Sequence, residues 1–330
     1  MNFKEKIILI VLLAVFVLQA VSSMRLKSPA WDETSYIGLG YYLLTTGKWD
    51  VPGSTLHPPL TYYLNSVPYL FYDIDKTAWN LDPSLKGEKL SNLSFPLAGL
   101  KLLTDSRYPQ DQVLFLSRIP TVFLALLLGF FVWRWARELY GSLPAAIALL
   151  FFSFSPTILA HARLITPDIA LSCFTFISLY YFRRVFRDGR WSSIVLCSLF
   201  SGLTLLSKYS GLLLFPIFFL LAVFVVVSHE EVRVPQGFPF TDLLMKNGRM
   251  AKMVRLGSIL LVVVILALFV VSIGYMFHLD YYVKGALHQL KHAEGGHPAF
   301  LMGMYSSQGW WYYYLIGFAI KTPLPLLILL

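Results

Sequence analysis

The chain has 330 residues, of which 57% are hydrophobic and only 14% charged, against about 25% charged in an ordinary soluble domain. That balance excludes a water-soluble globule and the disordered, fibrous and disulfide-stapled classes, and leaves an all-α polytopic membrane protein. The net charge of +9 sits in short connectors between apolar runs, so it points to a membrane and not to nucleic acid.

Apolar runs approaching the ~20 residues that cross a bilayer core recur along the chain at 7–24, 113–133, 143–162, 167–182, 191–208, 210–228, 256–277 and 310–330. About eight spans are therefore expected. The first run follows Lys4–Lys6 and ends in small residues near Ala20–Ser23, a pattern shared with signal peptides. Its uncharged stretch from Ile7 to Met24 is long for a signal h-region and adequate for a span, so it is read as an uncleaved first helix. Short connectors carry Arg134 and Arg137, then Arg183, Arg184, Arg187 and Arg190, then Arg233, Lys246, Arg249, Lys252 and Arg255. With Lys4 and Lys6 they make one side of the membrane the basic side, and the positive-inside rule places that side and the N-terminus in the cytoplasm. Segments 25–112 and 278–309 then face outward. Residues 1–330 read as one transmembrane domain, and the apolar run at the last residues suggests a longer protein.

The first outer segment is patterned. Trp31-Asp32-Glu33 opens a helical stretch, Thr34–Thr46, that Gly47 stops. Gly53–His57 reads as extended chain, because a residue before proline is pushed out of the helical region. Pro58 and Pro59 suit the start of a second helix over Leu60–Tyr72, whose Tyr and Leu content fits the headgroup level. Asp73–Lys89 is polar, and Asn92-Leu93-Ser94 fits a glycosylation sequon. Cys173 and Cys197 lie inside apolar runs, where packing accounts for them without a disulfide or a metal. His288, His292 and His297 do not form a zinc signature with any Cys. Trp310–Tyr314 reads as an interfacial aromatic belt.

Ionisable residues gather at the outer edge of these spans. Asp32 and Glu33 follow the first span, Arg118 lies early in the second, Arg163 and Asp168 bracket the third-to-fourth turn, and Lys208 ends the fifth. Lys321 lies inside the last run. A charge at the bilayer centre costs about 2.5–3.5 kcal/mol on insertion scales, and near the interface long cationic side chains snorkel. Taken singly, the cations read equally well as snorkelling anchors. Taken together, four spans and a long loop bring both charge signs to one face, where cations can hold a phosphate and a carboxylate can act as base. Adjacent residues on a helix do not share a face, so Asp32 and Glu33 should have different roles. His57 has no second His or Cys at ligand spacing and reads as a hydrogen-bonding group.

Asp32-Glu33 after the first span, His57-Pro-Pro-Leu60, Arg118-Ile-Pro120, Ala162-Arg-Leu-Ile-Thr-Pro-Asp168, Ser207-Lys-Tyr-Ser-Gly211 and Lys321-Thr-Pro-Leu-Pro325 resemble, in this order, the GT-C membrane glycosyltransferases. The nearest groups are the protein O-mannosyltransferases and the aminoarabinose transferases that modify lipid A. The resemblance implies a GT-C-type helical bundle, a polyprenyl-phosphate-linked sugar as donor, and transfer on the extracytoplasmic side to a protein, lipid or glycan acceptor. It implies that Asp32 is the catalytic acidic residue and that Arg118 contacts the donor phosphate. His57 stands where the aminoarabinose type carries lysine, which leans toward the mannosyltransferase pattern. The 277–309 connector is too short for the folded module of the eukaryotic enzymes.

The expected reaction is displacement at the anomeric carbon with inversion. Asp32 serves as general base, Glu33 orients the acceptor or the loop, and Arg118 and Lys208 neutralise the departing phosphate. Arg163 pairs with Asp168, His57 belongs to the substrate-binding set, and neither a metal nor another cofactor is required. A lipid transporter or flippase using the same cations without a base is the alternative reading.

Overall fold

The computed structural model describes residues 1–51, 53–72, 94–104, 110–228, 231–238, 248–294 and 298–329. The Asp73–Lys89 segment, the Asn92 sequon, Lys246 and His297 lie outside the described residues. Helices form where the sequence supplies a cap and an apolar run. The first, α1 (Phe3–Arg25), opens with a capping box: the Asn2 side chain accepts from the Glu5 N–H at 2.9 Å, and Glu5 accepts from the Asn2 N–H at 3.1 Å. Two orphan donors of the first turn are thereby satisfied. The same Glu5 carboxylate accepts from Arg137 at 3.1 Å and from the Ser142 hydroxyl, so it ties the start of α1 to two later helices.

After α1 come α2 (Trp31–Thr46), α3 (Leu60–Ser66) and α4 (Ser94–Thr104), then α5 (Gln110–Tyr140), α6 (Ser142–Ser153), α7 (Pro156–Ala162), α8 (Pro167–Asp188), α9 (Trp191–Ser207) and α10 (Leu214–Val227). The remaining helices are α11 (Arg249–Gly274), α12 (Leu279–Glu294), α13 (Tyr313–Lys321) and α14 (Leu324–Leu329). A small antiparallel hairpin, Ala299–Leu301 with Met304–Ser306, precedes α13. Among the described residues, the protein is an all-α polytopic membrane protein apart from that hairpin.

Among the described residues, five helices are long and apolar enough to cross a membrane, and a sixth span results if α6 and α7 count as one. Eight runs were expected. The difference lies at two prolines and one short helix. Ser155 caps α7 and Pro156 opens it, which bends the α6–α7 pair by 60°. A proline cannot donate to the preceding helical turn, and Pro323 likewise separates α13 from α14 in the final run. Helix α9 has 17 residues, about 26 Å at 1.5 Å per residue, somewhat less than a ~30 Å hydrocarbon core.

Helices α1, α5 and α6 pack on one another, α5 also packs on α8, and the series continues laterally through α9 and α11 to α10. One apolar core joins α1, α5, α6 and α8 through residues such as Phe16, Leu149, Phe152 and Ile177. A second joins α8, α9, α10 and α11 through Phe182, Ile194, Phe218 and Ile259. Cys173 and Cys197 are free thiols in these two cores. Many outward-facing side chains, such as Phe123, Phe219 and Leu261, are large, apolar and exposed, as expected of a surface solvated by lipid.

Helices α2, α3 and α4 lie over one end of this bundle, and α2 packs on both α3 and α4. Gly47 closes α2 in the left-handed conformation, φ 64°, where only glycine is unstrained. The approach of α4 to α2 is close enough that a Cβ on Gly99 would strike the Thr34 carbonyl. Gly99→Ala should therefore cost about 1–3 kcal/mol through overpacking, read as a lower unfolding temperature in detergent. The cap is held to the bundle by Thr121 donating to Asn65 at 3.1 Å and by the Tyr63 hydroxyl donating to the Gly274 carbonyl at 3.1 Å.

Candidate active site

The N-terminal end of α2 is built around Glu33. Its carboxylate is fully buried and accepts four hydrogen bonds: from Ala30 N at 2.8 Å, Ile165 N at 3.0 Å, Arg118 Nε at 2.8 Å and Arg118 Nη2 at 2.6 Å. Four bonds use the acceptor capacity of an ionised carboxylate. Arg118, 1% exposed, is equally committed. Besides the two bonds to Glu33, its Nη1 donates to the carbonyls of Met24 and Lys27 at 3.0 and 2.9 Å, and its Nη2 to that of Ser28 at 3.1 Å. All five guanidinium N–H groups are taken. The expectation that Arg118 contacts a donor phosphate meets this geometry: no donor is left for one. Arg118 instead satisfies carbonyls freed at the end of α1, which a helix terminus must pair with something.

Asp32 takes the opposite course. One residue from Glu33, it lies on a different face of α2, and its side chain is exposed. It makes no hydrogen bond or ion pair with any described residue, yet it is close enough to influence the titration of Tyr36, His57 and Tyr62. The clamp on Glu33 thus fixes the first turn of α2 and holds Asp32 free beside the cap.

Asp168 sits in the first turn of α8, where a carboxylate is favoured by the helix N-terminus. It does not pair with Arg163. Its Oδ1 accepts from Lys208 Nζ at 2.9 Å, and its Oδ2 lies 3.8 Å from His161 Nδ1. Lys208 is reached because α9 stops at Ser207 and Lys208 turns extended, φ −157°, before a 3-10 turn at Tyr209–Leu213. The chain turns back tightly there: a Cβ on Gly211 would stand 2.7 Å from the Thr204 carbonyl. Lys208 and Asp168 are about a third and two fifths exposed, so the ammonium keeps two of its three donors available. The side chain of Arg163, half-buried on the turn between α7 and α8, makes no hydrogen bond or ion pair with a described residue.

His57 completes the group. Its ring stacks on Tyr36, with centroids 5.8 Å apart and planes at 16°, and the Tyr36 ring in turn meets Tyr62 at 4.9 Å. Burial and, second, the Lys208 charge push the imidazole below the ordinary histidine value, against a smaller opposing pull from Asp168 and Asp32. The ring is therefore neutral at physiological pH. The loop carrying it is pinned from above by Gln289 of α12, which donates to the Leu56 carbonyl at 2.8 Å. Beside the loop, Trp49 stacks on Tyr275 at 4.7 Å, and Tyr275 meets Tyr282 at 5.7 Å.

Of the seven residues singled out in the sequence, Asp32, His57, Asp168 and Lys208 share one electrostatic neighbourhood. Glu33 and Arg118 form the clamp behind it. Tyr36, Tyr62 and His161 were not anticipated. The spacing of Tyr36 one turn after Asp32 and Glu33 was the available signal, while nothing local relates Tyr62 to His57. No group of three or more His, Cys, Asp and Glu suited to a metal is present among the described residues. His288 and His292 stack on each other, 6.3 Å apart, on α12.

Comparison with curated proteins and with solved structures gave no match. A family model does match: residues 111–245 fit that of the dolichyl-phosphate-mannose-protein mannosyltransferases. The matched stretch contains Arg118, Arg163, Asp168 and Lys208, and leaves Asp32, Glu33 and His57 to its N-terminal side. Over residues 111–245 the chain is thus similar to a family of GT-C-type membrane mannosyltransferases, and its long apolar helices are those of a multi-pass membrane protein.

Proposed function

We propose that the protein transfers a sugar from a polyprenyl-phosphate donor to an acceptor hydroxyl at the extracytoplasmic membrane surface, with inversion at the anomeric carbon. The observation that carries this reading is the juxtaposition of Asp32, an exposed carboxylate with no partner among the described residues, with the half-open Asp168–Lys208 pair and a neutral His57. An acceptor hydroxyl becomes an effective nucleophile as its proton is removed, and Asp32 is the base. The polyprenyl phosphate leaves with both electrons of the anomeric C–O bond. Its growing charge is met by Lys208, which has donors to spare, and by Arg163, whose guanidinium is uncommitted. Preorganised cations in a water-poor site stabilise such charge without reorganisation. Phosphate contact thereby passes from Arg118 to Lys208 and Arg163, and Arg118 with Glu33 positions the base. His57, held by Tyr36, faces the same site as a neutral hydrogen-bonding group. The side of the membrane rests on the basic connectors, whose described residues lie at the other end of the long helices.

The test is a donor panel: full-length protein in lipid vesicles is given polyprenyl phosphates carrying different sugars, and free polyprenyl phosphate is followed. Release with one donor, dependent on acceptor, is the expected result. Binding of donors with no release under any acceptor condition would overturn the reading in favour of lipid transport.

Two further outcomes follow from the geometry. Lys208→Gln should lower kcat/KM by about 10²-fold, the scale of losing one preorganised charge donor, with Asp168→Asn milder. The pH profile should show an acid limb whose midpoint lies below 6.5, because a depressed histidine pKa means that protons are taken up only at lower pH. The sign for stability is the same: the folded site is favoured above the ordinary histidine value and loses stability as the pH falls toward and through the folded one. In His57→Gln the histidine's part of that limb should be lost, leaving only the inactivation at lower pH that any carboxylate base shows.

A further inference from the structure

The long helices end, away from Asp32, in a second charged cavity that the reaction does not use. It measures about 870 Å³ and is lined by Arg183, Arg184, Arg187 and Arg233 with Glu138, Asp188 and Glu231, beneath Phe224. Two of the acids are already matched within the wall. Asp188 accepts from Arg184 at 2.7 Å, and Glu138 accepts from Arg134 at 3.3 Å and from the Tyr180 hydroxyl at 2.6 Å. Against Glu231, the remaining acid among the described lining residues, the exposed side chains of Arg187 and Arg233 make no hydrogen bond or ion pair with a described residue. Isolated arginines in such a position hold their charge, because guanidinium does not deprotonate.

The cavity opens into a second, apolar one of about 460 Å³, which shares Arg183, Arg187 and Phe224 with it. Its walls are Leu179, Phe182 and Phe186 of α8 and Ile217, Leu221 and Val225 of α10. Helix α10 has an exposed outward face here, with Leu221 39% and Phe224 70% exposed. Cationic mouth and apolar groove thus form one continuous amphipathic recess beside the exposed face of α10.

We infer that this recess binds an anionic phospholipid of the leaflet opposite the active site, its phosphate between Arg187 and Arg233 and an acyl chain along the α8–α10 groove. Charge complementarity selects a net negative headgroup over a zwitterionic one. Distance excludes the sugar donor as the occupant: Asp168 and Asp188 stand at the two ends of α8, about 30 Å apart at 1.5 Å per residue. A donor phosphate held here would be a membrane thickness from Asp32. The bound lipid would join α8, α10 and the 231–238 segment, whose Arg233 N–H already donates to the Phe186 carbonyl at 2.9 Å.

The test uses the full chain in vesicles of phosphatidylcholine with or without phosphatidylglycerol, and native mass spectrometry after mild extraction. Wild type should retain phosphatidylglycerol in preference to phosphatidylcholine. Arg187→Gln with Arg233→Gln should reduce that retention about tenfold or more, since each basic residue near a headgroup contributes about a factor of five. Leu221→Trp, which fills the groove and leaves the arginines in place, should reduce it as well. Both arginines are exposed and Leu221 faces outward, so the variants keep the fold, verified by an unchanged unfolding temperature in neutral detergent. Equal retention in wild type and the arginine pair, or displacement by inorganic phosphate alone, would overturn the inference. When polyprenyl phosphate is added to the phosphatidylglycerol vesicles as a competitor, its retention in place of phosphatidylglycerol would overturn it too. None of these outcomes depends on sugar transfer.

Discussion

Replacing Asp32 by Asn is expected to lower sugar transfer by about 10²–10⁴-fold, the usual contribution of a positioned general base, while donor binding persists. The change is isosteric. It removes one charge from an exposed side chain that makes no hydrogen bond or ion pair with a described residue, so the fold has nothing to lose. Lys208 and Arg163 still meet the phosphate, which is why affinity for the donor should survive. The checking measurement is single-turnover transfer beside equilibrium donor binding. Full turnover in the variant would move the base to the other carboxylate at the site, Asp168, and would make the Lys208 ion pair part of the acid–base chemistry.

The second large effect is on folding. Arg118→Ala should destabilise the protein by about 3–5 kcal/mol, because it leaves the Glu33 charge buried and unpaired. It also strips the carbonyls of Met24, Lys27 and Ser28 of their donor. Glu33→Ala should cost a similar amount. The double variant should cost clearly less than the sum, as expected for two residues of one network. Unfolding followed in detergent gives the cycle. In the fraction that remains folded, donor affinity should be close to wild type. A large loss of donor affinity in a stably folded Arg118 variant would restore Arg118 to the phosphate.

The difference between Arg118 as read in the sequence and as found in the fold shows what a sequence can carry. The start of α2, its stop at Gly47 and the charge of Asp32 are local signals. Caps and left-handed glycines are decided by neighbours within a few residues, and the helix forms where those signals lie. That Asp32 and Glu33 lie in different surroundings was also legible, since adjacent helical residues point to different faces. Which of them is buried was not. The Glu33–Arg118 pair closes across 85 positions, and its other partners are backbone N–H and carbonyl groups, which leave no mark in a sequence. A conspicuous arginine near a span end therefore reads as a phosphate ligand when it is a cap.

The Arg163–Asp168 expectation failed for a related reason. Proximity in sequence favoured it, but Pro167 starts a new helix, and Asp168 then meets Lys208 from α9 across 40 positions. The bent third span and the divided last one had their signals in plain view at Pro156 and Pro323. Apolar length alone outweighed them, although a proline inside an apolar run is itself a break signal. The amphipathic recess at the far end combines arginines whose positions were evident with a groove that only packing creates.

The most direct measurement of the central claim is the fate of the donor at the anomeric carbon. Vesicles containing the full-length protein are supplied with acceptor and the active polyprenyl-phosphate sugar, and product and lipid are quantified together, with product configuration read by nuclear magnetic resonance. The account predicts one free polyprenyl phosphate per glycosylated acceptor and an anomeric configuration opposite to the donor's. Intact donor recovered on the other side of the membrane, or product of retained configuration, would contradict direct attack by an acceptor activated at Asp32.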